Sequence, residues 1–326
     1  MKIYAFFGKI VIGIVSVIFL WATVGFADFP ERTIQVLVGW PVGTPNDTMD
    51  RAITKPLSKI LGKTVIVKNI PGAGGTLVLG RLKTEKPDGY TIFQTGLPMF
   101  SQTPWMRAVS YDPLNDFAYL AQHMRYDFYM LCNSDSPWKT YEELIQDVKK
   151  NPKTIKFGTT GVGSSGHIMM EYLALKENLK WVHVPYNSSA EGISGLLGKH
   201  IDFIIIPIGY ELEFIKTGRF RPLLAMSSKR APQLPDLPTV TEKGYEFSIV
   251  SSAVWAVSAK TPKNIQQILE KALLQAINDP EARGAVTKLN KTCDPVGSEE
   301  LTKTVFANHQ KYGELLKTFK LGIFKK

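Results

Sequence analysis

The sequence predicts an α/β protein of two lobes, each built on a mostly parallel sheet, with strands crossing at a hinge. Three observations predict it. Strand-like and helix-like segments alternate along the chain, which is the pattern of βα units. The chain from Asp28 onward, ~300 residues, exceeds what a single core usually serves. The pattern also restarts near Ala118 and closes with a long return after Met226. These breaks divide the chain into lobe 1 (28–118 and 226–326, discontinuous) and lobe 2 (119–225), with crossing strands near Tyr119 and Leu223.

Each element has its own signal. Thr33–Val38 reads as a strand. Met49, Ala52, Ile53, Leu57, Ile60 and Leu61 then recur at helical spacing, and Pro56 inside that run should kink or restart the helix. Val65–Val67 and Thr91–Phe93 are strands, separated by the turn Pro71–Gly75, a short helix at Leu77–Leu82 and the turn Lys86–Tyr90. After the restart come strands Tyr119–Ala121 and Phe128–Cys132, and a helix Tyr141–Lys149 capped by Thr140. Strand Ile155–Phe157 leads to a helix at Ile168–Lys176. Trp181–Val184, a further helix, Ile201–Ile206 and Pro222–Met226 follow. Ala253–Val257 is the last clear strand, and amphipathic helices run over Pro262–Asn278 and Ser298–Leu316.

The N-terminus stands apart from the fold. Lys2 and Lys9 precede an apolar run from Ile10 to about Ala22, and Gly25-Phe26-Ala27 supplies small residues for cleavage. These are the three parts of a secretory signal peptide, residues 1–27. The run is shorter than the ~20 residues of a spanning helix, and no basic stop-transfer cluster follows it. The net charge is +10, and discounting Lys2 and Lys9 leaves +8. The basic residues are scattered without interleaved aromatics, so nucleic acid is not the partner. The mild positive field suits an anionic ligand as well as it suits plain solubility. Cys132 and Cys293 are the only cysteines. Export permits a disulfide, but Cys132 ends an apolar strand and Cys293 sits in a loop before Pro295, so both are read as unpaired. No metal-ligand spacing occurs, and no metal or cofactor is expected.

Two loops share one design. Pro41-Val42-Gly43-Thr44-Pro45-Asn46-Asp47 and Gly161-Val162-Gly163-Ser164-Ser165-Gly166-His167 each follow a strand and open a helix. Such loops offer free N–H groups and the positive end of a helix dipole to an anion. The second matches G-x-G-x-x-G, the dinucleotide fingerprint. The export signal and the lack of an acid ~20 residues on argue for a smaller anion bound by Ser164, Ser165 and neighbouring N–H groups. Capping by Ser164 or Ser165 is compatible with that role. His167 either donates to a carboxylate or serves structurally. In the first loop Thr44 reads as N-cap, Pro45 as the first helical residue and Asp47 as a capping acid. Asp47 could instead meet a donor on the ligand. Trp40, Trp255, Tyr186 and Tyr210 stand at strand ends, where α/β pockets form; each alone suits a core, and together they suggest an aromatic-walled cleft.

The chain resembles a known family through Phe29-Pro30…Ile34, Pro41-x-Gly43…Asp47…Arg51 and Val67-x-Asn69-x-Pro71-Gly72-Ala73-Gly74-Gly75. The pattern continues in Pro87-Asp88-Gly89-Tyr90-Thr91, Gly161-x-Gly163-Ser164-x-x-His167 and His183-Val184-Pro185-Tyr186. Pro235-Asp236-Leu237-Pro238-Thr239-Val240 and Asp294-Pro295-Val296-Gly297 complete it. With these segments the chain is similar, over essentially its whole mature length, to the Bug receptors, the periplasmic substrate-binding proteins of tripartite tricarboxylate transporters. The resemblance implies a type II-like Venus-flytrap fold, a periplasmic monomer without catalytic activity, and delivery of a small organic carboxylate to the membrane permease subunits of such a transporter. It implies that the two loops clasp a ligand carboxylate through Pro41, Gly43, Thr44 and Asp47 on one side and Gly163, Ser164 and His167 on the other. Further contacts are expected after Phe93, at Gln94 and Thr95, and after Ile206, at Pro207 and Tyr210. The family usually has a second glycine where Thr44 stands, a small polar residue at Pro45 and a phenylalanine at Trp40. The alternative function is an exported enzyme using His167 and Asp47 on a small carboxylate. Dicarboxylates, tricarboxylates, aromatic acids and amidated acids all remain open as ligands.

Overall fold

The computed structural model describes residues 29–209 and 211–324; the signal-peptide expectation therefore lies outside the described residues. The strands are β1 (Ile34–Val38), β2 (Val65–Asn69), β3 (Thr91–Gly96), β4 (Phe117–Arg125), β5 (Phe128–Asn133), β6 (Lys156–Thr159), β7 (Val182–Pro185), β8 (Phe203–Pro207), β9 (Phe220–Ala225), β10 (Ser252–Ser258) and β11 (Thr292–Gly297). The helices are α1 (Pro45–Leu61), α2 (Leu77–Gly80), α3 (Pro98–Ser101), α4 (Thr103–Met106), α5 (Tyr141–Lys150), α6 (Ser165–Glu177), α7 (Ser189–Leu197), α8 (Glu211–Lys216), α9 (Lys263–Ile277), α10 (Pro280–Lys288) and α11 (Ser298–Phe319).

Two sheets form. The first has the order β11-β4-β10-β3-β1-β2 and the second β7-β6-β8-β5-β9. Most strands of each sheet point one way, as βα connections require. Against them run β10 and β11 in the first sheet and β5 in the second. β10 and β5 are the first strands laid down after the chain changes sheets, so they enter from the far end. Helices cover both faces of each sheet, which explains strands such as β10, buried from Ser252 to Val257 with an apolar run between its two end serines. One face of the first sheet packs Met49, Ile53 and Leu57 of α1 with Leu269 and Leu273 of α9.

The polypeptide leaves the first sheet at Tyr126-Asp127, between β4 and β5, and returns between β9 and β10. Tyr119 lies within β4, which pairs with β10 from Phe117 to Arg125. The crossings are pinned by short bonds. Tyr126 N–H donates to Ser251 O (2.8 Å) and Ile208 N–H to Asp127 O (2.7 Å). Arg125 Nε reaches Asp127 Oδ1 at 2.7 Å, and the Thr292 hydroxyl donates to Asp127 Oδ2 at 2.7 Å. α11 spans both sheets: Leu301 and Val305 join the first sheet's core, whereas Tyr312, Leu315 and Leu316 join the second's.

Three local expectations need correction. Pro56 neither kinks nor restarts α1, which continues to Leu61, because Met49, Ile53 and Leu57 hold one face to the sheet. Cys293 lies in β11, not in a loop; Pro295 is accommodated by the register break between Cys293 and Val296 on this edge strand. α10 and β11 were missed, since Pro280 and Pro295 mask their periodicity. Cys132 and Cys293 are both free. No described helix is long and apolar enough to cross a membrane.

Candidate functional site

The first loop is ordered by one carboxylate. Thr44 is the N-cap of α1 and its hydroxyl accepts the Asp47 N–H at 3.4 Å, with Pro45 at the first helical position. Asp47, 2% exposed, accepts from Gly43 N–H (2.9 Å), Arg51 Nε (3.1 Å) and Asn69 Nδ2 (2.8 Å). Burial alone would raise its pKa; the bonds from Arg51, Gly43 and Asn69 outweigh it and hold the carboxyl below the usual range. Asn69 Nδ2 also donates to Trp40 O (2.9 Å), which ties the strand end to the loop. Gly43 takes φ +82°, a value open to glycine at little cost. Asp47 is therefore a capping residue with its acceptors engaged.

The second loop repeats the design. The Ser164 hydroxyl caps α6 by accepting the His167 N–H at 3.3 Å, and Gly163 N–H donates to His167 Nδ1 at 3.0 Å. That bond makes Nδ1 an acceptor and leaves the proton on Nε2, 3.5 Å from Glu171 Oε1. His167 stacks on His183 with centroids 4.1 Å apart, and His183 stacks on Phe157 and meets the Thr159 hydroxyl at 2.8 Å. Burial pushes the His183 imidazole down to about 4, with the His167 ring adding to the effect.

The first sheet's own segment reaches this second loop. Gln102, between α3 and α4 and 6% exposed, donates Nε2 to Gly163 O (2.6 Å) and accepts the Ser165 hydroxyl (2.8 Å). Met106 lies against Gly163 so closely that an added Cβ would meet its methyl at 2.0 Å. Gly163 is thus required twice, by φ +75° and by this approach. No sequence signal marked Gln102, because nothing local to it suggests a partner 61 residues away.

A cavity of about 300 Å³ opens between the sheets, lined by Trp40, Thr44, Pro45, Asn46, Gly96, Pro98, Met99, Tyr126, Phe128, Pro207 and Ser251. Tyr126 and Ser251 come from the two crossings, so its floor is the hinge itself. Asn46 Oδ1 accepts from Gln94 Nε2 at 3.2 Å. Burial, reinforced by the Asp50 carboxylate, raises the Tyr126 pKa far above the phenol range; the hydroxyl itself reaches no hydrogen-bond partner. Trp40 Nε1 and Gln94 Oε1 are likewise buried without a partner, an uncommon condition for buried polar atoms. Beneath lies a buried pair on α1 and β4: Asp50 Oδ1 is 3.3 Å from His123 Nε2 and accepts from Trp255 Nε1 at 3.0 Å. Burial raises the Asp50 pKa against the pull of His123.

Of the residues expected from the sequence, Trp40, Thr44 and Pro207 line the cavity. Pro41 and Gly43 are exposed and outside the lining, and Gln94 lies one bond behind it. Asp47, Gly163, Ser164, Ser165 and His167 are engaged within the loops described above. Thr95 is spent on Gly75 O (2.8 Å), and Trp255 is core. Tyr186 packs on Gly158, Gly192 and Gly195, and Tyr210 lies outside the described residues. Asn46, Met99, Tyr126, Phe128 and Ser251 were missed. Tyr126 and Ser251 sit between elements, where periodicity carries no signal. Asp47 and His167 are bonded within separate loops, one opening a first-sheet helix and one a second-sheet helix. No group of three or more His, Cys, Asp or Glu able to hold a metal occurs among the described residues.

Residues 49–321 match the family model described as tripartite tricarboxylate transporter family receptor. A UPF0065 protein from the gbd 5' region of Cupriavidus necator is 30% identical over 299 residues, 91% of this chain and 90% of that protein. A TctC solute-binding protein structure from Polaromonas aligns with TM-score 0.82 at 26% identity, covering 89% of this chain and 99% of that one. The structure of the periplasmic binding protein BugD aligns with TM-score 0.69 at 28% identity over 90% and 99%.

Proposed function

This chain belongs to the tripartite tricarboxylate transporter receptor family, and from that premise we propose that it captures a small organic carboxylate in the cleft between its sheets and hands it to the membrane permease of such a transporter. The lobes follow the sheets: β1–β4, β10 and β11 in one, β5–β9 in the other. Residues 1–27 serve as the export signal, and the mature protein works in the periplasm as a monomer.

One observation carries the proposal. The cavity is lined from both sheets and floored by Tyr126 and Ser251 of the crossing segments, so a ligand there touches the two bodies and the hinge that moves them. Asn46 and the start of α1 supply a donor and a favourable dipole for one carboxylate, whereas the Thr44 hydroxyl and N–H are held by Pro41 O. The second loop joins the grip when Gln102 releases the Ser165 hydroxyl, which can then donate to the ligand.

The test is thermal unfolding of the purified protein with a broad panel of carboxylates. A ligand that binds only the folded state at ~100 times its Kd stabilises by about 2.7 kcal/mol, a rise of several degrees. A panel that moves nothing would sink the receptor assignment. Mass spectrometry of small molecules released from freshly purified, denatured protein identifies the natural ligand.

A further inference from the structure

We propose that Gln102 is a built-in competitor for the second loop: its carboxamide holds the Ser165 hydroxyl that a ligand carboxylate would otherwise take, and so sets the affinity of the receptor. The inference rests on the receptor reading above and adds how that same site is regulated.

The second loop contributes no residue to the cavity lining. The segment that covers it begins in the cavity wall. Pro98 and Met99, at the start of α3, line the cavity. One turn later Gln102 meets the loop, donating Nε2 to Gly163 O (2.6 Å) and accepting the Ser165 hydroxyl on Oε1 (2.8 Å). Met106, at the end of α4, packs on Gly163. Gln102 and Ser165 are both buried, so these bonds are shielded from water.

The two bonds differ in what they deny a ligand. A serine hydroxyl has one proton to donate. While that proton is on Gln102 Oε1, no ligand oxygen can receive it. A planar carboxamide presents its oxygen much as a carboxylate does, so Gln102 Oε1 stands in the place of a ligand oxygen. Gly163 O is an acceptor and offers nothing to a carboxylate, so its bond to Nε2 is not in competition. Capture through the second loop therefore exchanges one hydrogen bond for another, and the bond to Gln102 is subtracted from the gain. The segment around Gln102 is anchored on both sides. Phe100 packs edge-on against Phe117 and Tyr119, and Trp105 Nε1 donates to His309 O at 2.8 Å. The exchange is thus a turn of the Gln102 side chain rather than a displacement of α3 and α4.

Isothermal titration decides the matter, using benzoate, malate, adipate, citrate and any further acid that shifts the melting temperature in the broad panel. Gln102→Ala should bind such an acid roughly 2- to 10-fold more tightly than the unmodified protein, the worth of one competing hydrogen bond. The same change lowers the stability of the unliganded protein, whereas a purely structural glutamine would lose stability with no gain in affinity. In a Ser165→Ala background the gain should disappear, because no hydroxyl remains to be released. Gln102→Leu keeps bulk and removes both bonds, and it repeats the measurement if the alanine variant fails a circular dichroism check of folding. Equal or weaker binding by the Gln102 variant overturns the competition and leaves the receptor function standing. A gain that persists without the Ser165 hydroxyl overturns that hydroxyl as the point of competition. Binding of no acid by any of these proteins, with no thermal shift across the broad panel, overturns the receptor function and the competition together.

Discussion

Asp47 shows how one side chain can carry a loop. Its carboxylate meets a backbone N–H, a guanidinium and an amide at 2.8–3.1 Å while sitting in the first turn of α1, where negative charge is favoured. Asp47→Asn keeps the shape but loses the charge, and should destabilise the protein by about 1–2 kcal/mol at neutral pH. The sign of the pH dependence follows from the depressed folded-state pKa. The stabilisation is complete above the ordinary carboxyl value, near 3.9, and disappears as pH falls through the lower folded value. Urea midpoints of both proteins should therefore differ by a constant amount from neutral pH down to about 4 and converge below it. A difference that persists undiminished at the lowest pH would assign the effect to shape instead of charge. Asp47 as a capping acid was readable from the sequence, because Thr44-Pro45-Asn46-Asp47 is a local capping signal. Its partner Asn69, 22 residues away, was not.

At the scale of elements, the two glycine loops begin alike and are used differently. Each opens a helix behind a serine or threonine cap, as the sequence indicates. The α1 loop faces the cavity, whereas the α6 loop is engaged by Gln102 and Met106. Gln102→Ala would leave Gly163 O and the Ser165 hydroxyl without their partner. A buried polar group left unmade costs about 1–3 kcal/mol, so calorimetry should show a lower melting temperature. Rescue by Gln102→Asn would not be expected, since the shorter amide cannot span both groups. An unchanged melting temperature in Gln102→Ala would mean that water replaces the amide without cost. Short helices α3 and α4, which position Gln102 and Met106, span four residues each, too few for a periodic pattern.

For the whole molecule, the proposed receptor function makes the hinge both connection and binding floor. Tyr126 and Ser251 belong to the crossings and to the cavity, so under the proposed function ligand contacts and lobe angle are coupled. The two crossings are bonded to one another through Tyr126 N–H and Ser251 O at 2.8 Å. α11 adds a third link through Leu301 and Val305 at one end and Tyr312 and Leu316 at the other. A hinge motion that closes the cleft should reduce the radius of gyration when ligand saturates the protein. Small-angle scattering with and without the bound acid measures this; superimposable curves would exclude closure as the consequence of binding.

The sequence by itself determined the α/β class, ten of the eleven strands, the longest helices, both helix-opening loops and their caps, and the family. These are local or periodic features, set by side-chain alternation, capping chemistry and glycine's tolerance of positive φ. Only the tertiary structure decided that Asn46, Tyr126, Phe128 and Ser251 share one cavity, that Gln102 occupies the second loop, and that no charge lines the cleft. Those facts depend on where segments far apart in the chain meet. Each residue's own neighbourhood in sequence is silent on that, because the packing of two sheets across a hinge brings together positions that no local periodicity relates.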